Sequence, residues 1–137
     1  MDIQEAVKEV HKDFLYKADK KGLFDRWFVM HPDDQGKYRG DCDDFALTVL
    51  WKLCDQKMSK WILNVIILHK YRIIWATTNV GGTHVVGTAK GLYFDNWGSQ
   101  ALPKDEFVRI RKHKLGWMVP SFIMIIYLTA GAFTKKS

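Results

Sequence analysis

The sequence predicts one α+β domain, and three observations carry that expectation. An amphipathic stretch runs from Asp2 to Ala18. A helix start at Asp41 opens a second apolar stripe. A β-branched and aromatic run from Trp61 onward ends in a hairpin signature. The 137 residues are enough chain for one buried core, and the many aromatics fit a folded protein. Only two cysteines occur, so there is no disulfide framework, and reduced thiols point to a reducing compartment.

The first helix is expected from Asp2 to Ala18, with Ile3, Ala6, Val7, Val10, Phe14 and Leu15 on one side and Lys20-Lys21-Gly22 ending it. Leu23 to Met30 is short and aromatic. His31-Pro32-Asp33-Asp34-Gln35-Gly36 reads as a turn, because no metal-ligand spacing accompanies its His and Asp. At Gly40-Asp41-Cys42-Asp43-Asp44-Phe45-Ala46, Asp41 is a good N-cap and Asp44 can reach back three residues as in a capping box. Phe45, Ala46, Val49, Leu50 and Leu53 then recur at helical spacing, predicting a helix to about Gln56.

Trp61 to Thr78 reads as two strands or one bent strand, interrupted at His69-Lys70, with His69 at a strand end facing water. Thr83 to Gly98 is a hairpin. A two-residue loop centred on Ala89-Lys90 sets His84 opposite Asp95, and one centred on Lys90-Gly91 sets Asp95 opposite Val86. Both registers put the imidazole and the carboxylate on one face, whereas a three-residue loop would separate them. Ala101 to Phe107 looks like a turn and one helical turn, and Val108 to Arg111 alternates like a last strand.

Leu115 to Phe133 is almost wholly apolar and nineteen residues long, just enough to cross a bilayer, although Pro120, Ser121, Thr129 and Gly131 weaken that reading. The expected organisation is therefore a domain over residues 1–114 and an apolar tail over 115–137 that inserts in a membrane or docks on the core. The net charge of +6 gathers most densely at Arg109, Arg111, Lys112, His113 and Lys114. Such a run can meet anionic lipid or nucleic acid, but no nucleic-acid motif accompanies it and a solvated strand is the plainer reading. The N-terminal residues lack the basic-then-apolar pattern of a signal peptide, which predicts a cytoplasmic or membrane-associated protein.

The chemistry-bearing pattern is a thiol at a helix start followed by a His and an Asp on a hairpin. Free N–H groups and the helix dipole at Cys42 favour thiolate, while Asp41, Asp43 and Asp44 oppose it, so activation calls for an imidazole close by. His84 would take the proton of Cys42 and later return it to the leaving group, with Asp95 orienting the ring. The Cys42 N–H would be one oxyanion donor, and Trp27, Gln35 and Tyr38 are candidates for a second. Cys54, twelve residues after Cys42, lies about 18 Å along a regular helix from it and cannot bridge it.

The blocks Gly40–Ala46, Thr83-His84-Val85-Val86 and Gly91-Leu92-Tyr93-Phe94-Asp95-Asn96 resemble the transglutaminase-like cysteine proteinases of bacteria and their phages, a group within the wider transglutaminase-like, papain-related superfamily. The resemblance spans roughly Trp27 to Trp117. It implies a papain-like core with the Cys helix packed on an antiparallel sheet. It also implies a thiol-dependent peptidase or amidase needing no cofactor and no metal, with Cys42, His84 and Asp95 on the three matching positions. Acyl transfer to an amine, or a membrane-tethered interaction module that keeps the fold without turnover, are the alternatives.

Overall fold

The computed structural model describes residues 1–17 and 26–134. Among the described residues five α-helices accompany a five-stranded antiparallel sheet, its strands lying in the order Leu102–Pro103, Leu92–Phe94, Thr83–Ala89, Arg72–Thr77, Lys114–Met118, and a separate parallel pair joins Phe14–Tyr16 to Tyr38–Gly40. The α+β expectation therefore holds.

Helix α1 (Ile3–Lys12) is capped by Asp2, whose carboxylate accepts from the Glu5 N–H at 2.8 Å, and it buries Ile3, Ala6, Val7 and Val10. It stops six residues before the predicted end. Phe14–Tyr16 forms β1 instead, pairing in parallel with β2 (Tyr38–Gly40). The apolar pattern continues through Phe14 and Leu15, but strand pairing claims their backbone. Ala18 and the Lys20-Lys21-Gly22 stop lie outside the described residues. The Asp33–Gly36 turn forms as expected, with Asp33 Oδ1 accepting from the N–H groups of Gln35 and Lys37.

Helix α2 (Cys42–Leu53) starts at the predicted place, with both halves of the capping box present. It is buried along most of its length and packs against α1 on one side and the sheet on the other. Gly40 lies immediately before the cap, and the reason is spatial. A Cβ there would come within 2.8 Å of the Asp44 side chain and of the Met30 sulfur.

The run from Trp61 corrects the strand reading. Helix α3 (Met58–Trp61) passes into a π-helical segment over Ile62–Ile67, and only Arg72–Thr77 is a strand, β3. Trp61 and Val65, four apart, are the side chains this segment buries, so tertiary packing overrides the β-branched composition. His69, expected to face water, is half-buried and both its ring nitrogens have partners. Its Nε2 lies 2.7 Å from Ser121 Oγ and its Nδ1 3.2 Å from Met118 Sδ.

Strands β4 (Thr83–Ala89) and β5 (Leu92–Phe94) form the hairpin, and Lys90 and Gly91 both have positive φ, at 54° and 78°. That is a primed two-residue turn centred on Lys90-Gly91. Ala89 pairs with Leu92 and Gly87 with Phe94, so continuing the register puts Asp95 beside Val86 on the face of His84. Short β6 (Leu102–Pro103) leads into helix α4 (Lys104–Arg111). Here Val108–Arg111, expected as a strand, is helical. Asp105 and Glu106 in the first turn and Arg109 and Arg111 in the last complement the helix dipole, and Phe107 anchors the helix on the sheet.

Residues Lys114–Met118 form edge strand β7 against β3, and Ser121–Thr134 form helix α5. The apolar stretch is thus divided between a strand and a helix, and among the described residues no helix is long and apolar enough to cross a membrane.

Two apolar clusters result. The larger unites α1, α2, the π-helical segment and α5 with Ile73, Val85, Ala89 and Phe94 of the sheet. The smaller, around Ala76, Val86 and Phe107, lies on the other face under α4.

Candidate active site

Asp95 follows directly on β5 and is fully buried. It accepts four hydrogen bonds. His84 Nε2 and His113 Nε2 meet Oδ2 at 3.0 and 2.8 Å, while Arg111 Nε and the Trp97 N–H meet Oδ1 at 3.1 and 3.3 Å. Burial alone would raise this carboxyl, but the bonds from His84, His113 and Arg111 outweigh it and hold Asp95 below 3.8. His84, also buried, comes from β4, and its commitment of Nε2 to Asp95 leaves Nδ1 as the nitrogen able to receive a proton. The Trp97 ring, half exposed, lies 5.2 Å from the His84 ring and 4.7 Å from that of His113, covering both.

His113 and Arg111 are the residues that sequence reasoning did not place here. Both were counted in the basic cluster of Arg109 to Lys114. The end of α4 turns sharply at Lys112 (φ 60°), which carries Arg111 and His113 to the same carboxylate from either side of the bend. The one signal available was that a buried Asp needs more than one partner, and it does not say which. Burial lowers the pKa of His113 in spite of Asp95, with repulsion from His84 and Arg111 added. Its imidazole is therefore neutral, donating from Nε2, and its buried Nδ1 has no hydrogen-bond partner. Arg111 supplies the countercharge to Asp95, so the carboxylate is already balanced when His84 is neutral.

Cys42 occupies the first position of α2 and is partly exposed. Its sulfur approaches β4 at a specific place. In the hairpin the N–H groups of Ala89 and Gly87 face β5, and Val85 is next in that alternation. Because β5 ends at Phe94, the Val85 N–H faces no strand, and it acts on the Cys42 sulfur instead, as does the N–H of Asp43. The thiol thus lies against β4 one residue from His84. Among the described residues no hydrogen bond joins the sulfur to the His84 ring.

Burial, together with the charge of Asp41, pushes the Cys42 thiol up to about 12. The two N–H groups at the sulfur oppose that rise and are outweighed. Of the opposing influences weighed at the helix start, burial and Asp41 therefore prevail over the N–H groups, and the thiol is neutral at neutral pH. The same surroundings act on the acids. Burial and the neighbouring Asp41 raise the Asp44 carboxyl to about 9, although it accepts from the Phe28 and Asp41 N–H groups, and burial raises Asp43 as well. The three carboxyls beside Cys42 therefore carry fewer than three charges at neutral pH.

A pH dependence of stability follows. In the unfolded chain Asp44 ionises near its ordinary 3.8, and in the folded protein near 9. Folding takes up a proton there in between, so this stabilisation is full below 3.8 and is lost as pH rises toward 9. Asp95 has the opposite sign, contributing above 3.8 and losing its effect in acid. Urea-unfolding midpoints should accordingly fall from about pH 5 to about pH 9, and Asp44→Asn should flatten that fall.

Among the described residues two sets of side chains hold ligand atoms close enough to surround a cation, namely His84, Asp95 and His113, and Asp41, Asp43 and Asp44. In the first set both Nε2 atoms are already engaged with Asp95.

No family model, no curated protein and no solved structure matches the chain. The assignment of chemistry rests on the side chains themselves.

Of the three oxyanion candidates, none is joined to Cys42. Gln35 is exposed in its turn, where its Oε1 accepts from Arg39. The Tyr38 ring is engaged elsewhere, with the Lys52 Nζ 5.7 Å from its centroid. Trp27 is fully buried against Tyr127, its backbone N–H donating to the Tyr127 carbonyl while its buried indole N–H has no hydrogen-bond partner among the described residues.

Proposed function

We propose that the protein is a thiol-dependent amidase or peptidase that acts through a thioester on Cys42, with His84 as general base and Asp95 as its orienting acid. The observation that carries this reading is the buried His84–Asp95 pair on the hairpin, with the Cys42 sulfur at the neighbouring Val85 N–H. The packing of α2 on the antiparallel strands β3 and β4 supports a papain-like core of the transglutaminase-like kind.

The chemistry differs from that of a preformed thiolate–imidazolium pair. Because the thiol is neutral and Arg111 already balances Asp95, proton transfer from Sγ to His84 Nδ1 accompanies attack on the carbonyl carbon. The oxyanion forms at the start of α2, where the Cys42 N–H and the positive helix end stabilise it. The imidazolium then protonates the leaving amine, and water attacks the thioester with the same ring as base. The side chains required are all present on this chain, with no cofactor in the scheme.

Cleavage of a quenched fluorescent peptide library tests the reading. Turnover is expected from the wild type, none from Cys42→Ala, and undiminished turnover from Cys54→Ala, whose thiol is buried at the far end of α2. Equal turnover in Cys42→Ala would dismiss it.

A further inference from the structure

We infer that the face built from the π-helical segment, the end of β7 and the outer side of α5 docks on the surface of an anionic lipid bilayer. Helix α5 carries two apolar stripes at helical spacing. Met124, Tyr127, Leu128 and Gly131 turn inward, with Met124 and Gly131 buried and the Trp27 N–H bonded to the Tyr127 carbonyl. Phe122, Ile125, Ile126 and Thr129 form the other stripe and are exposed. A soluble helix keeps its second stripe polar.

The exposed stripe continues onto two other elements. Ser121 Oγ donates to the Ile66 carbonyl and accepts from His69 Nε2, while His69 Nδ1 touches Met118. These contacts tie α5, the π-helical segment and β7 together at one junction. Next to the four tied residues in the chain come Trp117 at 84% exposure, Phe122 at 64%, Ile67 at 62% and Leu68 at 59%. So many large exposed apolar side chains at one junction mark a binding surface.

Charge selects the occupant. No acidic residue occurs between Asp55 and Asp95, and none after Glu106, so every strand and helix contributing to this face lacks Asp and Glu. Its cations, Lys70 and Arg72, lie beside His69 in the chain, are both exposed, and have no Asp or Glu anywhere between residues 56 and 94. A Trp-bearing apolar surface set among unbalanced cations fits acyl chains beneath anionic headgroups. With 14 residues α5 is about 21 Å long, short of the roughly 30 Å hydrocarbon core, so it lies along the interface instead of crossing it.

Flotation of the full chain with vesicles tests this. Wild type should float with phosphatidylcholine vesicles containing phosphatidylglycerol, and far less with phosphatidylcholine alone. The triple variant Trp117→Ser/Phe122→Ser/Ile125→Ser should remain in the dense fractions. Lys70→Gln/Arg72→Gln, which leaves the apolar side chains in place, should bind about five-fold more weakly for each cation removed. Wild type that ignores anionic vesicles, or floats equally with both kinds, overturns the inference. So does a lipid-free dimer that the triple serine variant dissociates, which would assign the face to a second copy of the chain.

Discussion

Replacing Asp95 by Ala should destabilise the protein by about 3–5 kcal/mol, the range for stripping one partner from a buried charge network. The reason lies in what the substitution leaves behind. Arg111, with its side chain 14% exposed, loses its carboxylate, and two buried imidazoles lose the acceptor for Nε2. Apolar atoms supplied by the alanine satisfy none of these. Asp95→Asn keeps the volume and one acceptor oxygen, so it should lose less stability, with its NH2 displacing either the two rings at Oδ2 or Arg111 and the Trp97 N–H at Oδ1. Urea unfolding of the two variants beside the wild type checks both statements. An Asp95→Ala protein as stable as the wild type would mean that the buried network contributes nothing.

The second large effect is expected at His84. With the thiol held neutral, removing the base should slow acylation of Cys42 by an activated ester about 100- to 10,000-fold. Alkylation by iodoacetamide should respond differently. It consumes thiolate, so in the wild type its rate should climb with pH toward about 12, where burial and Asp41 place the thiol, with no acidic plateau. His84→Ala should barely change that profile, because no ion pair exists for it to break. A fast, pH-independent alkylation in mild acid that vanishes in His84→Ala would instead reveal a thiolate–imidazolium pair.

The parts legible in the sequence are those written in local chemistry. Asp41 and Asp44 announced a helix start, and the Lys90-Gly91 turn was one of two short hairpin loops that put His84 and Asp95 on one face. Illegible parts depended on what lay across space. Val108 to Arg111 alternates in apolarity like a strand, yet Phe107 packing and the end charges make it helical. Ile62 to Ile67 is rich in strand formers, but burial of Trp61 and Val65 sets a helical path. His113 and Arg111 reach Asp95 only because of the reversal at Lys112, which no spacing along the chain encodes. The thiol's environment was half legible: the opposing acids were visible in sequence, and the burial that decides the outcome was not.

The most direct measurement is the location of the acyl group after brief exposure to p-nitrophenyl acetate, found by peptide mapping of wild type and His84→Ala. A hydroxylamine-labile acetyl on Cys42 in the wild type, almost missing from His84→Ala, is the result that a base-assisted thioester mechanism predicts. An acetyl group spread equally over both proteins, or carried by Cys54 in place of Cys42, would contradict it.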